Sequence, residues 1–249
     1  MIRQTKMINE LDVVEEIVEE INIYGYSKIK LFDKEDEIFK ALKRIHYLEG
    51  KTNIPGRIAN YKGGFAKFFT AEDISNAYFE GINYFEKWLD KKIIKLILEK
   101  LSINKKYELD HMYQTLDTTE SKHIAQDPHF DRIPTLKFML YLNDMDETNG
   151  SFIVSPGSNN WVKNSFKKRG VFNDSDFLKE TRKIPKPIIK RLINLNGEAG
   201  TLIIFHTDCI HMQGIVKKNE SRIFRAGYRI SRKNRLKKFA RVIKSKIFK

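Results

Sequence analysis

"HFDRIPTLKFMLYLNDMDETNGSFIVSPGSNNW", residues 129–161, contains an apolar run, a turn and a second apolar run, preceded by a histidine and an aspartate one residue apart. Read outward, this stretch decides the architecture. In extended chain, side chains two apart point the same way, so His129 and Asp131 can reach a common point while Phe130 faces away. "TLKFMLYLND" has the length and β-branched or aromatic content of a buried strand, "ETNG" is a turn, and "GSFIVSPGS" is a short strand followed by another turn. From Tyr107 onward the texture repeats in "YELDHMYQTL", "IPKPIIKRLINLNGEAG", "TLIIFH" and "SRIFRAGYRIS". Short strands so punctuated predict an antiparallel barrel or jelly roll.

The N-terminal part reads differently. "NELDVVEEIVEEIN", residues 9–22, sets Leu11, Val14, Ile17, Val18 and Ile21 on one face with acids opposite, an amphipathic helix. "YGYSKIKLF" alternates as a strand, and "KEDEIFKALKRIHYLEG" fits a second helix. Residues 53–64 read as a Gly/Pro-rich loop, and a long helical region is predicted over 71–101, with Trp88 among its apolar positions. The predicted fold is therefore mainly β: a double-stranded β-helix (jelly-roll, cupin-like) core with N-terminal helices packed on one sheet. Residues 1–231 are expected to form one domain, mainly helical over 1–106 and a β-helix core over 107–231, with a separate tail at 232–249.

Composition narrows the function classes. With 249 residues, 41% of them hydrophobic, a large core is available, and the apolar runs are too short for a membrane-spanning helix. Acids occupy the N-terminal region where an export signal would be apolar, and a single cysteine, Cys209, excludes an internal disulfide, so the cytoplasm is the expected location. The net charge is +14, and nine Lys or Arg with no acid lie within residues 232–249, leaving +5 for the rest. That tail reads as a basic amphipathic helix, with Leu236, Phe239, Ala240, Ile243 and Ile247 on one face. It suggests peripheral contact with an anionic membrane, and hence a lipid-linked or other small-molecule substrate. Its two phenylalanines are too sparse to stack nucleic-acid bases, so nucleic acid is not an expected partner.

A third ligand for a metal at His129 and Asp131 is sought in "GTLIIFHTDCIHMQG", which ends a strand in a turn bearing His206 and His211. Two imidazoles and a carboxylate on one face of an octahedral ion leave three positions open, as in non-haem iron(II) oxygenases.

The ordered set formed by His129 and Asp131, Tyr141 to Asp144, Asn149 and Gly150, Pro156 to Ser158, Gly200, Phe205, His206, His211, Gly214, Asn219 and Arg222 resembles the phytanoyl-CoA dioxygenase family of Fe(II)/2-oxoglutarate oxygenases. Asn159 departs from it, standing where the family usually has histidine. The resemblance implies a hydroxylase that consumes 2-oxoglutarate and O2, with Fe(II) held by His129, Asp131 and His211. It also implies an arginine that pairs with the far carboxylate of 2-oxoglutarate. Arg222 has the family's spacing and is the expected anchor; Arg225, on the opposite face of the strand, is the rival. Gln114 and Gln213 are further candidates for cosubstrate contact. The presence of Asp131 favours hydroxylation over halogenation, because related halogenases lack this carboxylate. The competing reading is a non-catalytic cupin-like binding protein.

Overall fold

The computed structural model describes residues 10–47, 57–70, 87–102, 106–122, 124–166 and 183–230. Residues 71–86 of the helical region predicted over 71–101, His123 and the tail from residue 231 lie outside them.

Seven antiparallel strands form the main sheet in the order β1-β8-β5-β10-β4-β3-β2. They are β1 (Tyr26–Lys30), β2 (Arg57–Tyr61), β3 (Gly64–Thr70), β4 (Tyr107–Thr118), β5 (Leu136–Tyr141), β8 (Thr201–His206) and β10 (Glu220–Ile230). Three short strands, β7 (Ile193–Asn194), β6 (Ile153–Val154) and β9 (His211–Met212), form a second sheet. The result is the expected jelly roll.

Helices cover the outer face of the main sheet. α1 (Glu10–Tyr24) buries Val14, Ile17 and Ile21, α2 (Glu37–Tyr47) buries Phe39 and Leu42, and α3 (Lys92–Leu101) buries Ile94 and Ile97. These residues, with the fully buried Trp88, pack on Met112, Phe138, Leu140, Leu202, Ile204, Phe224 and Ala226, every second residue of the central strands. The alternate residues Met139, Tyr141, Ile203, Phe205 and Ile223 point inward and meet Phe152, Val154 and Leu195 from the second sheet and its flanks. Two cores thus lie on opposite sides of one sheet.

The structure departs from the sequence expectation in two places. The Gly/Pro-rich loop over 53–64 contains strand β2, which pairs with β3 and extends the main sheet beyond β4. Its residues are mostly exposed, so it has no alternation of apolar and polar positions to betray it. The expected strand at 26–30, β1, joins β2 and β3 in the same sheet as the C-terminal strands. Conversely, "IPKPIIKRLIN" forms a single helical turn, Lys186–Ile189, with Pro187 inside its first turn, before the two residues of β7.

Gly200 explains how β1 closes on β8. It has φ +90° and its carbonyl accepts from the amides of Leu31 and Phe32, while a Cβ there would lie 2.1 Å from the Phe32 carbonyl oxygen.

Candidate metal centre and its two cavities

His129 and His211 are brought opposite each other by an isolated antiparallel bridge, in which each backbone amide donates to the other's carbonyl, at 2.9 and 2.8 Å. Asp131 is fixed two residues on by its amide, which donates to the Thr207 carbonyl at 3.0 Å. Phe130, between them, points the other way into a fully buried cluster with Val162, Ile184 and Ile210, as the alternation requires. One ligand atom from each of His129, Asp131 and His211 lies within 4.8 Å of the other two.

The orientation of each group suits a divalent cation. His129 Nδ1 sits 2.7 Å from the Asp127 carbonyl oxygen and His211 Nδ1 sits 2.7 Å from that of Cys209. A carbonyl only accepts, so both rings carry their proton on Nδ1 and turn the Nε2 lone pair inward. The two Nε2 atoms lie 3.9 and 3.7 Å from Asp131 Oδ1, leaving a gap that an ion would close. Burial pushes the His211 pKa down to about 3, with the neighbouring His129 acting in the same direction, so its imidazole is neutral and ready to ligate. Burial opposes ionisation of Asp131, yet Lys137 and the two histidines hold its carboxyl well below the usual range. Two imidazole nitrogens and one carboxylate oxygen form a set that fits Fe(II) and its neighbours in the first transition row.

Lys137 is the residue the sequence reading passed over. It lies on the inner face of β5, and its Nζ donates to Asp131 Oδ2 at 2.7 Å. Each Asp131 oxygen therefore has its own role, Oδ2 toward the ammonium and Oδ1 toward the histidines.

Two cavities meet at this cluster. The inner one, about 220 Å³, is lined by His129 and His211 together with Tyr113, Thr115, Gln213 and Arg225. The outer one, about 870 Å³, is bounded by His129, Asp131, Phe68, His111, Ile184 and Arg229 among others. Tyr113, Ala125, His129 and Lys137 form part of both walls. Lone cavities for drug-sized ligands run from about 300 to 1,000 Å³, so the inner chamber suits only a small molecule and the outer one a larger molecule.

Arg225 projects into the inner chamber. Its side chain is buried, its Nη1 donates to Thr115 Oγ1 at 2.6 Å, and its guanidinium lies over the Tyr113 ring at 5.3 Å. Arg222, the expected anchor, is elsewhere. It shares a face with Phe224, which packs among the helices, and its guanidinium forms a two-point pair with Glu220 at 2.5 and 2.9 Å. The two arginines are three positions apart, and the period of two in a strand sends them to opposite faces.

The glutamines divide in the same way. Gln213 lines the inner chamber and its Nε2 donates to Asp117 Oδ2, while Asp117 Oδ1 accepts from Tyr61 at 2.8 Å. Gln114 is on the far side of β4 from Tyr113 and Thr115, paired across the sheet with Phe224, and its buried amide has no hydrogen-bond partner among the described residues. It does not reach the chamber. His206 is likewise apart, in a separate cavity with Tyr107 and Asp208. Asn159 is buried near Asn22 and Gly25, away from both chambers, so the family's histidine position has no contact with the centre here.

The architecture recurs in solved structures. The chain is similar to the non-haem alpha-ketoglutarate-dependent epimerase SnoN of nogalamycin biosynthesis, at a TM-score of 0.62 and 14% identity over 88% of this chain and 84% of that one. It is similar to HygX of Streptomyces hygroscopicus, solved with nickel, 2-oxoglutarate and hygromycin B, at a TM-score of 0.54 and 12% identity over 87% of each chain. A prolyl-4-hydroxylase of Pseudomonas putida matches at a TM-score of 0.52 and 13% identity, over 88% of this chain and 99% of that one. No curated protein sequence matches closely enough to suggest a narrower relationship. The sequence model for phytanoyl-CoA dioxygenase (PhyH) matches residues 59–224, two thirds of the chain, a span that holds both histidines, Asp131, Lys137 and Gln213. The chain belongs to the phytanoyl-CoA dioxygenase family of Fe(II)- and 2-oxoglutarate-dependent oxygenases.

Proposed function

We propose that the protein hydroxylates an unactivated C–H bond of a small molecule held in the outer chamber, using Fe(II) at His129, Asp131 and His211 and 2-oxoglutarate in the inner chamber. The observation that carries this reading is the meeting of the two cavities at the three ligand atoms, with Arg225 in the smaller one.

When bound, the iron and its cosubstrate supply the oxidation of 2-oxoglutarate to succinate and carbon dioxide, and the delivery of oxygen to the substrate. The chain's own residues supply the rest. His129, Asp131 and His211 occupy one side of the centre and leave the other for cosubstrate, oxygen and substrate. Arg225, planar and permanently charged, pairs with the distal carboxylate of 2-oxoglutarate, and Thr115 holds the guanidinium in place. Gln213, set by Asp117 and Tyr61, presents its amide to the same chamber. Phe152 and Phe205, whose rings lie 5.6 and 5.0 Å from that of His211, keep water from that side of the centre.

Apolar wall in the outer chamber, from Phe68, Ile133, Ile184 and Ile189, suits a substrate with a hydrocarbon body. The basic segment 232–249 extends the proposal to a lipid-linked substrate met at an anionic membrane surface. Vesicle sedimentation with and without that segment tests the extension, and equal pelleting of the two forms would remove it. The oxygenase reading itself is tested by incubating reduced protein with Fe(II), 2-oxoglutarate and oxygen. Succinate should form at a rate abolished by Asp131→Ala, and a candidate substrate should gain one oxygen atom. Succinate formation that survives Asp131→Ala would count against the reading.

A further inference from the structure

The inner face of β10 carries a second arginine. Tyr228 packs outward against Phe138, so by alternation Arg225, Gly227 and Arg229 share the inner face. At about 3.3 Å of rise per residue, the two arginines stand about 13 Å apart along the strand. The register puts Arg225 opposite Met139 and Gly227 opposite Lys137, whose Nζ lies on Asp131 Oδ2. Arg229 is therefore on the other side of that row from Arg225, and it lines the outer chamber.

Its placement depends on an irregularity in β4. Pairing with β10 passes from Gly227 and His111 to Tyr228 and Leu109, leaving Asp110 without a partner across the sheet, a β-bulge of the kind that re-aims side chains. The Asp110 carboxylate holds two wall residues at once: Oδ2 lies 2.6 Å from His111 Nδ1, and Oδ1 lies 3.2 Å from Arg229 Nη1. Among the described residues the guanidinium has no other hydrogen bond or ion pair, and its Nε is buried without an acceptor. The side chain as a whole is 33% exposed, so a molecule in the chamber can reach it. Of the carboxylates lining that chamber, Asp131 is held by Lys137 and Asp127 belongs to the segment before His129. An arginine so placed has a planar, charged edge to spare. The group that matches such an edge at two points is a carboxylate or a phosphate, whereas a neutral alcohol would leave the charge unanswered.

We propose that the substrate of the outer chamber carries an oxyanion, a carboxylate or a phosphate ester, at one end of its apolar body, and that Arg229, positioned by Asp110, binds it. The proposal rests on the function given above and names the polar end of the substrate whose apolar body meets Phe68, Ile133, Ile184 and Ile189. One strand then serves two anions, with Arg225 on the cosubstrate in the smaller chamber and Arg229 on the substrate in the larger.

The experiment is calorimetric titration of the full chain, loaded with Ni(II) and saturating 2-oxoglutarate, with octanoate, octyl phosphate and 1-octanol, in wild type, Arg229→Gln and Arg229→Lys. Saturating 2-oxoglutarate keeps the added anions out of the inner chamber. Wild type should bind at least one of the anions about tenfold or more tightly than 1-octanol, because a hydrogen bond to a charged group is among the stronger ones. The anion bound more tightly identifies the head group. Arg229→Gln should remove that preference and leave the affinities for 1-octanol and 2-oxoglutarate within about twofold of wild type. Arg229→Lys keeps the charge without the fork and should retain part of the preference. Thermal melts verify folding, and a partial loss in the Lys variant carries the test if the Gln variant does not fold. Anions bound by wild type no more tightly than 1-octanol, or a preference that survives Arg229→Gln, would overturn this inference alone. A wild type that takes up neither Ni(II) nor 2-oxoglutarate would overturn the proposed function as well.

Discussion

The two faces of strands β4, β5 and β10 differ in everything except their backbone. Outward, Met112, Phe138, Leu140, Phe224 and Ala226 are sealed under three helices and contribute burial alone. Inward, one residue away in each case, Tyr113, Lys137 and Arg225 line the chambers that meet at His129, Asp131 and His211. The same hydrogen-bonded sheet thus carries a stability face and a chemistry face, and a shift of one residue in the chain moves a side chain from one to the other. Arg222 and Arg225 are the plainest instance, since their charge is the same and their surroundings are not.

Removing a ligand from the inner face should have the largest effect on function and little on the fold. Asp131→Ala and His211→Ala are expected to abolish detectable Ni(II) binding in a calorimetric titration while leaving the circular dichroism spectrum unchanged. Outward, the opposite split is expected. Phe138→Ala, which empties a fully buried ring site beside Tyr228 at 5.4 Å between centroids, should cost about 3 to 5 kcal/mol in urea unfolding. The folded fraction should still bind Ni(II) within about threefold of wild type, because the Phe138 ring lies on the opposite face of β5 from Lys137.

Gly227 tests the border between the faces. It stands between His111 and Lys137 across the sheet, and a Cβ there would lie 2.6 Å from the His111 ring. Gly227→Ala should cost about 1 to 3 kcal/mol through crowding, and unchanged stability would mean that the His111 ring moves aside freely.

A gentler probe is pH. The His211 pKa is depressed in the folded protein from its ordinary 6.5 to about 3, so the unfolded chain takes up the proton first. The metal-free protein should keep full stability above pH 6.5 and lose it progressively as pH falls toward 3, with the depressed Asp131 adding to the loss below 3.8. His211→Gln should flatten the upper part of that curve in thermal melts. An unaltered slope would locate the acid sensitivity elsewhere.

Much of this was legible in the chain. The H-x-D tripeptide, the strand and turn after it, and the distal histidine are local signals, and a jelly roll places them together whenever the strands pair in the expected order. The hairpin at 57–70 was hidden because β2 is exposed along most of its length, and an exposed strand has no apolar period to detect. Which side of β10 carries Arg222 and which carries Arg225 was hidden for a different reason. Ile223 and Phe224 are both fully buried, one on each face, so the apolar pattern of β10 does not say which side the helices cover. The side of β4 taken by Gln114 was hidden by the same ambiguity. Lys137 offered a signal that went unused, since a lysine sharing a strand face with Met139 and Tyr141 and standing six residues after the carboxylate must either reach an acid or remain an unpaired buried charge.

The most direct test of the account is a 2-oxoglutarate titration of the Ni(II)-loaded protein, comparing Arg225→Gln with Arg222→Gln. Arg225→Gln should weaken 2-oxoglutarate binding by about 2 to 5 kcal/mol, roughly thirtyfold or more, because it strips the partner from a buried carboxylate. Arg222→Gln should change it by less than about threefold, because its pair with Glu220 lies on the other face. Equal losses in the two variants, or the larger loss in Arg222→Gln, would contradict the assignment of the inner chamber to the cosubstrate.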